Sequence, residues 1–192
     1  MKQTTRTFVA VEINDANRTC AEELIHSLSP AGADVKWVDP ANMHLTLQFL
    51  GDVPTTEIAQ VCGAVERGAA GVEPFELEIC TAGAFPNAGR PRTLWIGAGK
   101  GDGQMVALHD EIADALAELG FAKEHRRYHP HLTIGRVRRG GPAVKELGTL
   151  LRAKADFPAG WLSVREVVVF SSELRRDGPV YHALGRAKVG GK

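Results

Sequence analysis

The sequence predicts an α+β fold of two pseudo-symmetric lobes, each an antiparallel sheet with flanking helices, facing one another across a central cleft. Three observations predict it. A tetrapeptide occurs twice, as His44-Leu45-Thr46-Leu47 and His131-Leu132-Thr133-Ile134. Each copy lies in a run that reads as a β-strand and follows a strand and a helix. Segments with strand and helix periods are mixed along the chain, which a duplicated α+β unit explains economically. At 192 residues and 44% hydrophobic content, the chain reads as one globular domain over 1–192, built of two intertwined lobes with one motif each.

Arg6 to Ile13 is rich in Val, Ile and Phe and reads as the first strand. Asn14 and Asp15 can cap a helix over about Ala16 to Leu28, with Cys20, Ala21, Leu24 and Leu28 as its apolar stripe. A short strand at Val35 to Val38 and a turn at Asp39-Pro40 lead into the first motif strand, Met43 to Leu50, which Gly51 closes. A second helix runs from Thr55 to Arg67 and ends in Gly68 to Gly71. Pro74 to Cys80 alternates Phe75, Leu77 and Ile79 with Glu76 and Glu78, a strand with one wet face. A loop over Thr81 to Pro91 precedes a strand from Arg92 to Gly97.

The glycine-rich run Gly97 to Gly103 lacks both the Walker spacing and GxGxxG, so it reads as a flexible connection. Met105, Leu108, Ile112, Leu116 and Leu119 give the next helix, about Gln104 to Leu119, a core stripe. The second motif strand spans Tyr128 to Val137 and stops at Arg138 to Pro142. A shorter helix over Ala143 to Lys154, an apolar strand over Val164 to Ser171, a turn at Asp177-Gly178 and a strand near Pro179 to Leu184 complete the chain.

Composition narrows the function. Lys plus Arg and Asp plus Glu both number 23, so long-range attraction to bulk nucleic acid or an anionic membrane is weak and any anionic ligand must be held by local charge. Met1 to Ile13 is too short and too polar for a secretory signal or a membrane span. A cytoplasmic protein with no membrane association is expected, and a monomer. Cys20, Cys62 and Cys80 lack CxxC spacing, against a disulfide framework or a thiolate zinc site.

Side chains alternate along a strand, so His44 and Thr46 share one face, as do His131 and Thr133, while Leu45, Leu47 and Phe49 take the other. An unperturbed imidazole titrates near pH 6.5. Across a cleft, one can therefore act as general base and its partner as general acid. Threonine hydroxyls can donate to non-bridging phosphate oxygens and offset charge growing there. Two of each suit in-line displacement at phosphorus without a metal or other cofactor. Alone, His44 would read as a hydrogen-bonded structural residue. Repetition of the same polar face inside apolar runs changes that, because burying unpaired polar groups is costly.

The stretches HLTLQFLG (His44 to Gly51) and HPHLTIGR (His129 to Arg136) resemble the paired signatures of the two-histidine (2H) phosphoesterase superfamily. More closely, the chain resembles the bacterial RNA 2′,3′-cyclic phosphodiesterases, long called 2′-5′ RNA ligases. RTFVAVEI, FPNAGRPRTLW and SSELRRDGPVYHAL extend the likeness over nearly the whole chain. The resemblance implies metal-independent hydrolysis of RNA 2′,3′-cyclic phosphate ends to 2′-phosphates, with ATP-independent 2′-5′ ligation as the reverse. It also implies the roles: His44 as proton donor, His131 as proton acceptor, Thr46 and Thr133 as phosphate-binding hydroxyls. The residues alone leave open which histidine is the acid.

Around the second motif, Lys123, Arg126, Arg127, Arg136, Arg138 and Arg139 outnumber Glu124. Such a segment fits a phosphate ligand at the cleft or a solvated charged face equally well. Arg92 and Arg136 are the preferred secondary contacts, and Phe85 or Tyr128 could stack on a base or equally well serve in packing. Two other functions remain open. A non-catalytic module could hold phosphorylated RNA ends in the same cleft. A metal hydrolase could use His44, His129 and His131, although neither motif supplies an acidic ligand on the histidine face. His26, His109, His125 and His182 have no assigned role.

Overall fold

The computed structural model describes residues 3–124, 126–176 and 178–191. Its elements in chain order are β1 (Thr4–Glu12), α1 (Asp15–Leu28), β2 (Val35–Trp37), β3 (His44–Pro54), α2 (Ile58–Ala70), β4 (Phe75–Phe85), β5 (Thr93–Ala98), α3 (Asp102–Ala117), β6 (His131–Val137), α4 (Pro142–Ala153), β7 (Pro158–Val164), β8 (Glu166–Arg175) and β9 (Gly178–Lys188). Asp177, half of the predicted turn, lies outside the described residues, as does His125.

The architecture is α+β and bilobal. Instead of two separate sheets, the strands form one continuous antiparallel sheet in the order β7-β4-β5-β6-β3-β1-β8-β9, with β2 paired to β6. Along that path four strands lie on each side of the β6–β3 junction, and the chain passes from one side to the other between β3 and β4 and back between β7 and β8. The junction itself is one residue pair, Leu45 opposite Leu132. Helices α2 and α3 pack on each other and reach β3, β8 and β9 on one side or β4 on the other. Helices α1 and α4 serve β7 and β4.

Local chemistry explains the better-anticipated elements. Asn14 caps α1 by accepting from the Asn17 amide, and Ala21, Leu24 and Leu28 face inward at helical spacing. The apolar run of β1 is buried on both faces: Val9 and Val11 join the main core, while Phe8 and Ala10 join a second cluster with Val168 and Phe170. The Gly97–Gly103 run is tighter than predicted. Gly97 and Ala98 belong to β5, and Gly101, at φ 90°, precedes α3 where a Cβ would meet the Glu76 carbonyl oxygen at 2.4 Å.

Several strands differ from expectation, and β6 begins at His131 rather than at Tyr128. β4 continues through Thr81, at φ 64° in a bulge between Cys80 and Ala82, so Phe85 ends a strand and not a loop. β3 runs past Gly51 to Pro54 because Gly51 adopts φ 72° at an irregularity in its pairing with β1. β7 has no counterpart in the sequence reading, since Pro158 and Gly160 interrupt its alternation, which an edge strand tolerates.

Candidate active site

The motif strands are built alike. From its histidine onward each runs half-buried, buried, half-buried, buried, buried, exposed. In β3 the partners on β1 step from Thr46 opposite Ala10 to Gln48 opposite Val9, leaving Leu47 unpaired. In β6 the partners on β5 step from Thr133 opposite Trp95 to Gly135 opposite Leu94, leaving Ile134 unpaired. A bulge just beyond the threonine therefore inverts the parity of both strands. Gln48 and Gly135 turn inward, while Phe49 and Arg136 turn outward onto the histidine face. The expectation that Phe49 faces the core is thus corrected: it is 59% exposed, with its ring centroid 6.0 Å from that of Phe8.

The junction sets the relation between the motifs. Residues directly opposite in an antiparallel pair share a face, so the Leu45–Leu132 pair places His44, Thr46, His131 and Thr133 together on the other one. The register puts His44 across from Thr133 and Thr46 across from His131. The two histidines lie on a diagonal of that square, where neighbours are typically about 7–8 Å apart and their Cβ atoms somewhat closer.

Both imidazoles are fixed in the same way. His44 Nδ1 lies 2.8 Å from the Asn42 carbonyl oxygen, and His131 Nδ1 lies 2.7 Å from that of His129. A carbonyl only accepts, so Nδ1 carries the hydrogen in the neutral ring and Nε2 keeps the lone pair. The surroundings differ. The ring centroid of His44 lies 4.8 Å from that of Phe8 and 5.4 Å from that of Tyr181, which meets it edge-on. That of His131 has Phe85 edge-on at 5.0 Å.

Burial lowers both histidine pKa values below the ordinary 6.5, against the raising effect of the carbonyl contacts. Arg136 and His129 lower that of His131 further. The phenol of Tyr181 is raised by burial and held back by Arg136 and Arg6, which places both cations near this face.

The secondary contacts divide. Arg136 donates to Thr93 Oγ1 at 3.3 Å and is the basic side chain brought beside His131. Arg92 is exposed just before β5, its backbone bonded to Phe85 and Val137, and strand parity turns Thr93 rather than Arg92 toward Arg136. Lys123 and Arg139 form surface ion pairs with Asp114 and Asp34.

Phe85 is 36% exposed, against Trp95 and His131. Of its two expected roles, base platform or packing, Tyr128 takes the packing one. It precedes β6, its ring lies parallel to His109 at 4.2 Å, and its hydroxyl donates to the Thr46 carbonyl at 2.9 Å. Burial pushes its phenol pKa up strongly. It braces the approach to the second motif against the strand of the first. His129 is exposed and offers His131 its carbonyl, and among the described residues no three His, Cys, Asp or Glu side chains form a metal-binding group.

Sequence reasoning missed Phe8, Tyr181 and Trp95 as walls of the site. Trp95 carried a usable signal. It stands opposite Gly83, where a Cβ would come within 2.3 Å of the indole, and Gly97 lies two residues along on the same face. Glycines around a strand tryptophan mark a ring lying flat on the sheet.

These features gather two histidines and two threonines on one face of the sheet, and the comparisons supply the family. A model described as the 2′-5′ RNA ligase superfamily matches residues 17–176. The chain belongs to that superfamily. It is 34% identical over 179 residues to an RNA 2′,3′-cyclic phosphodiesterase of Archaeoglobus fulgidus, covering 93% of this chain and 97% of the relative. Among solved structures, TT0787 of Thermus thermophilus superposes with a TM-score of 0.80 at 26% identity, covering 97% of this chain and 99% of that one. Escherichia coli LigT complexed with 3′-AMP shares the fold, with a TM-score of 0.73 at 22% identity over 97% of this chain and 99% of LigT.

Proposed function

We propose that this chain opens 2′,3′-cyclic phosphates at RNA ends, leaving a 2′-phosphate, by metal-independent acid–base catalysis between His44 and His131. The observation that carries the reading is the single Leu45–Leu132 bridge, which puts two imidazoles of the same tautomer and two threonines on one face. The activity is that of the Archaeoglobus relative.

In this reading water attacks phosphorus as His131 Nε2 takes its proton. The P–O3′ bond breaks in line, and protonated His44 gives the 3′ oxygen its hydrogen. Thr46 and Thr133 donate to the non-bridging oxygens, and Arg136 offsets the phosphate charge from the His131 side. The exposed face of Phe49 gives the terminal base a stacking surface on the His44 side. No helix among the described residues is long and apolar enough to cross a membrane, and the same proposal has the chain working in the cytoplasm as a monomer.

An oligonucleotide ending in a 2′,3′-cyclic phosphate, incubated with the protein in excess chelator, should yield a 2′-phosphate. An unchanged, tightly bound substrate would make the chain a binding module. Activity lost in chelator and restored by zinc would make it a metal hydrolase.

The lowered histidine pKa values set the sign of the pH dependence. Catalysis needs one proton shared between two rings, both of which burial biases toward the neutral form. In the free enzyme the one-proton state peaks between the two lowered values, below pH 6.5. Above that peak kcat/KM should fall by roughly tenfold per pH unit. A bound phosphate favours the imidazolium and raises the pKa of the acid, so the alkaline limb of kcat should lie at higher pH than that of kcat/KM. Coincident limbs, or a kcat/KM limb centred above 6.5, would contradict this.

A further inference from the structure

The β8–β9 hairpin parts from β1 halfway along. Pairing between β1 and β8 ends at Thr7 opposite Ser171, although β1 begins at Thr4 and β8 runs on to Arg175. A cavity of about 550 Å³ opens between the separated strands, with Thr4 and Arg6 of β1 on one side and Ser172 and Leu174 of β8 on the other. From there β8 pairs with β9 alone, Ser172 opposite Tyr181 and Leu174 opposite Pro179. This free half of the hairpin nevertheless supplies a wall of the site. The ring centroid of Tyr181 lies 5.4 Å from that of His44 and 4.9 Å from that of Phe8, nearly perpendicular to both. Outside the strand ladders, one hydrogen bond among the described residues holds the free half to the body of the protein, from Asn42 Nδ2 to the Pro179 carbonyl oxygen at 3.0 Å.

Asn42 itself stands on a pinned turn. Asp39 accepts from the Ala41 amide through its side chain at 2.9 Å and from the Asn42 amide through its carbonyl at 2.8 Å, and Arg18 of α1 donates to the Pro40 carbonyl at 3.0 Å. The Asn42 carbonyl is also the group that accepts from His44 Nδ1. Two restraints on the His44 ring therefore meet in one residue: the carbonyl at Nδ1 and the perpendicular Tyr181 ring beside it. The first uses the backbone of Asn42 and the second its side chain, so a substitution separates them.

We infer that Asn42 is a positioning residue for the reaction: its amide latches the free half of the β8–β9 hairpin to the turn that orients His44, so that Tyr181 holds the imidazole in line with the 3′ oxygen. This rests on the acid–base reading above and says what aligns its acid. A general acid works only when its proton points at the leaving oxygen, and a displacement of about 1 Å can cost about 10²-fold in rate. Without the latch the hairpin keeps its own ladder but swings free of β1 across the cavity already between them. His44 then keeps its Nδ1 contact and loses its wall. Binding through Thr46, Thr133 and Phe49 is untouched, because all three stand on β3 and β6.

The test follows hydrolysis of adenosine 2′,3′-cyclic phosphate by the full-length protein and its Asn42→Ala, Pro179→Ala, Tyr181→Leu and Asn42→Ala/Tyr181→Leu variants. Asn42 is half-buried in a turn, so the fold should survive its truncation. Alanine there keeps the carbonyl for His44 and removes only the amide latch. Asn42→Ala should lower kcat by at least about 10-fold and change KM by less than about 3-fold, the split expected when alignment rather than binding is lost. Backbone hydrogen exchange should quicken over residues 172–176 and 178–182 and stay unchanged in β3 and β6. Tyr181→Leu should lose a similar factor, and the double variant should match it within about 3-fold, because the latch then has no ring to hold in place. Pro179→Ala should keep kcat within about 3-fold, since the carbonyl that accepts the bond remains. Unchanged kcat in Asn42→Ala, a loss without faster exchange in the hairpin, an equal loss in Pro179→Ala, or additive losses in the double variant would overturn the latch while leaving the hydrolytic reading intact. Failure of the unsubstituted protein to open the cyclic phosphate would instead remove the reading on which it rests.

Discussion

Replacing His131 by alanine is expected to lower kcat for a 2′,3′-cyclic phosphate substrate by roughly 10²–10⁴-fold, the range for removing a general acid or base. The fold should survive, because β6 is anchored by Leu132 and Ile134, both fully buried, while the His131 ring faces the cleft. His44 needs a different substitution. Its ring packs on Phe8 and Tyr181, so alanine would leave a gap, whereas His44→Gln keeps most of the volume. That variant should lose activity by a comparable factor. The double variant should be little worse than either single one, since two groups that complete one proton circuit fail together. Added imidazole should rescue His131→Ala more than a His44→Ala protein, because the His44 site is walled by Phe8, Phe170 and Tyr181. Single-turnover rates with thermal melts as folding control provide the measurement. A loss of less than about tenfold in both variants would refute the acid–base assignment.

The motif strands were legible because their alternation is clean up to the threonine. Nothing in HLTLQF or HLTIGR announces the bulge that follows, since an unpaired Leu47 or Ile134 looks like any other strand aliphatic. One extra residue inverts all that comes after it, which is why Phe49 reads as core in the sequence and stands exposed in the structure. Arg136 reaches the cleft by the same inversion. The sequence leaves Tyr128 open between stacking on a base and packing for another reason: its partners, His109 and the Thr46 carbonyl, lie far away in the chain. The second wall of His44 was beyond reach for the same reason. Tyr181 meets that ring only because β9 pairs with β8 and β8 with β1.

Leu45→Ala is expected to do two separable kinds of damage. Leu45 is fully buried and is half of the one residue pair that joins β3 to β6. Truncating such a leucine costs about 2–5 kcal/mol, which in a chain of this size lowers Tm by about 4–20 °C. Leu77, near the start of β4, is equally buried but away from the junction, so Leu77→Ala should lower Tm comparably. The two should part in kinetics measured well below either Tm. At the junction, a shift of about 1 Å between the motif strands changes how both histidines meet one phosphorus, and misplacement of that size can cost about 10²-fold in rate. Leu45→Ala should therefore reduce kcat sharply with little change in KM, while Leu77→Ala leaves kcat near its original value. The Tyr128 hydroxyl on the Thr46 carbonyl is a second tie between the same two segments, so Leu45→Ala combined with Tyr128→Phe should lose more activity than the two separate losses predict. Equal kcat in the Leu45 and Leu77 variants would mean that the bridge serves stability alone and that the spacing of the histidines is set elsewhere.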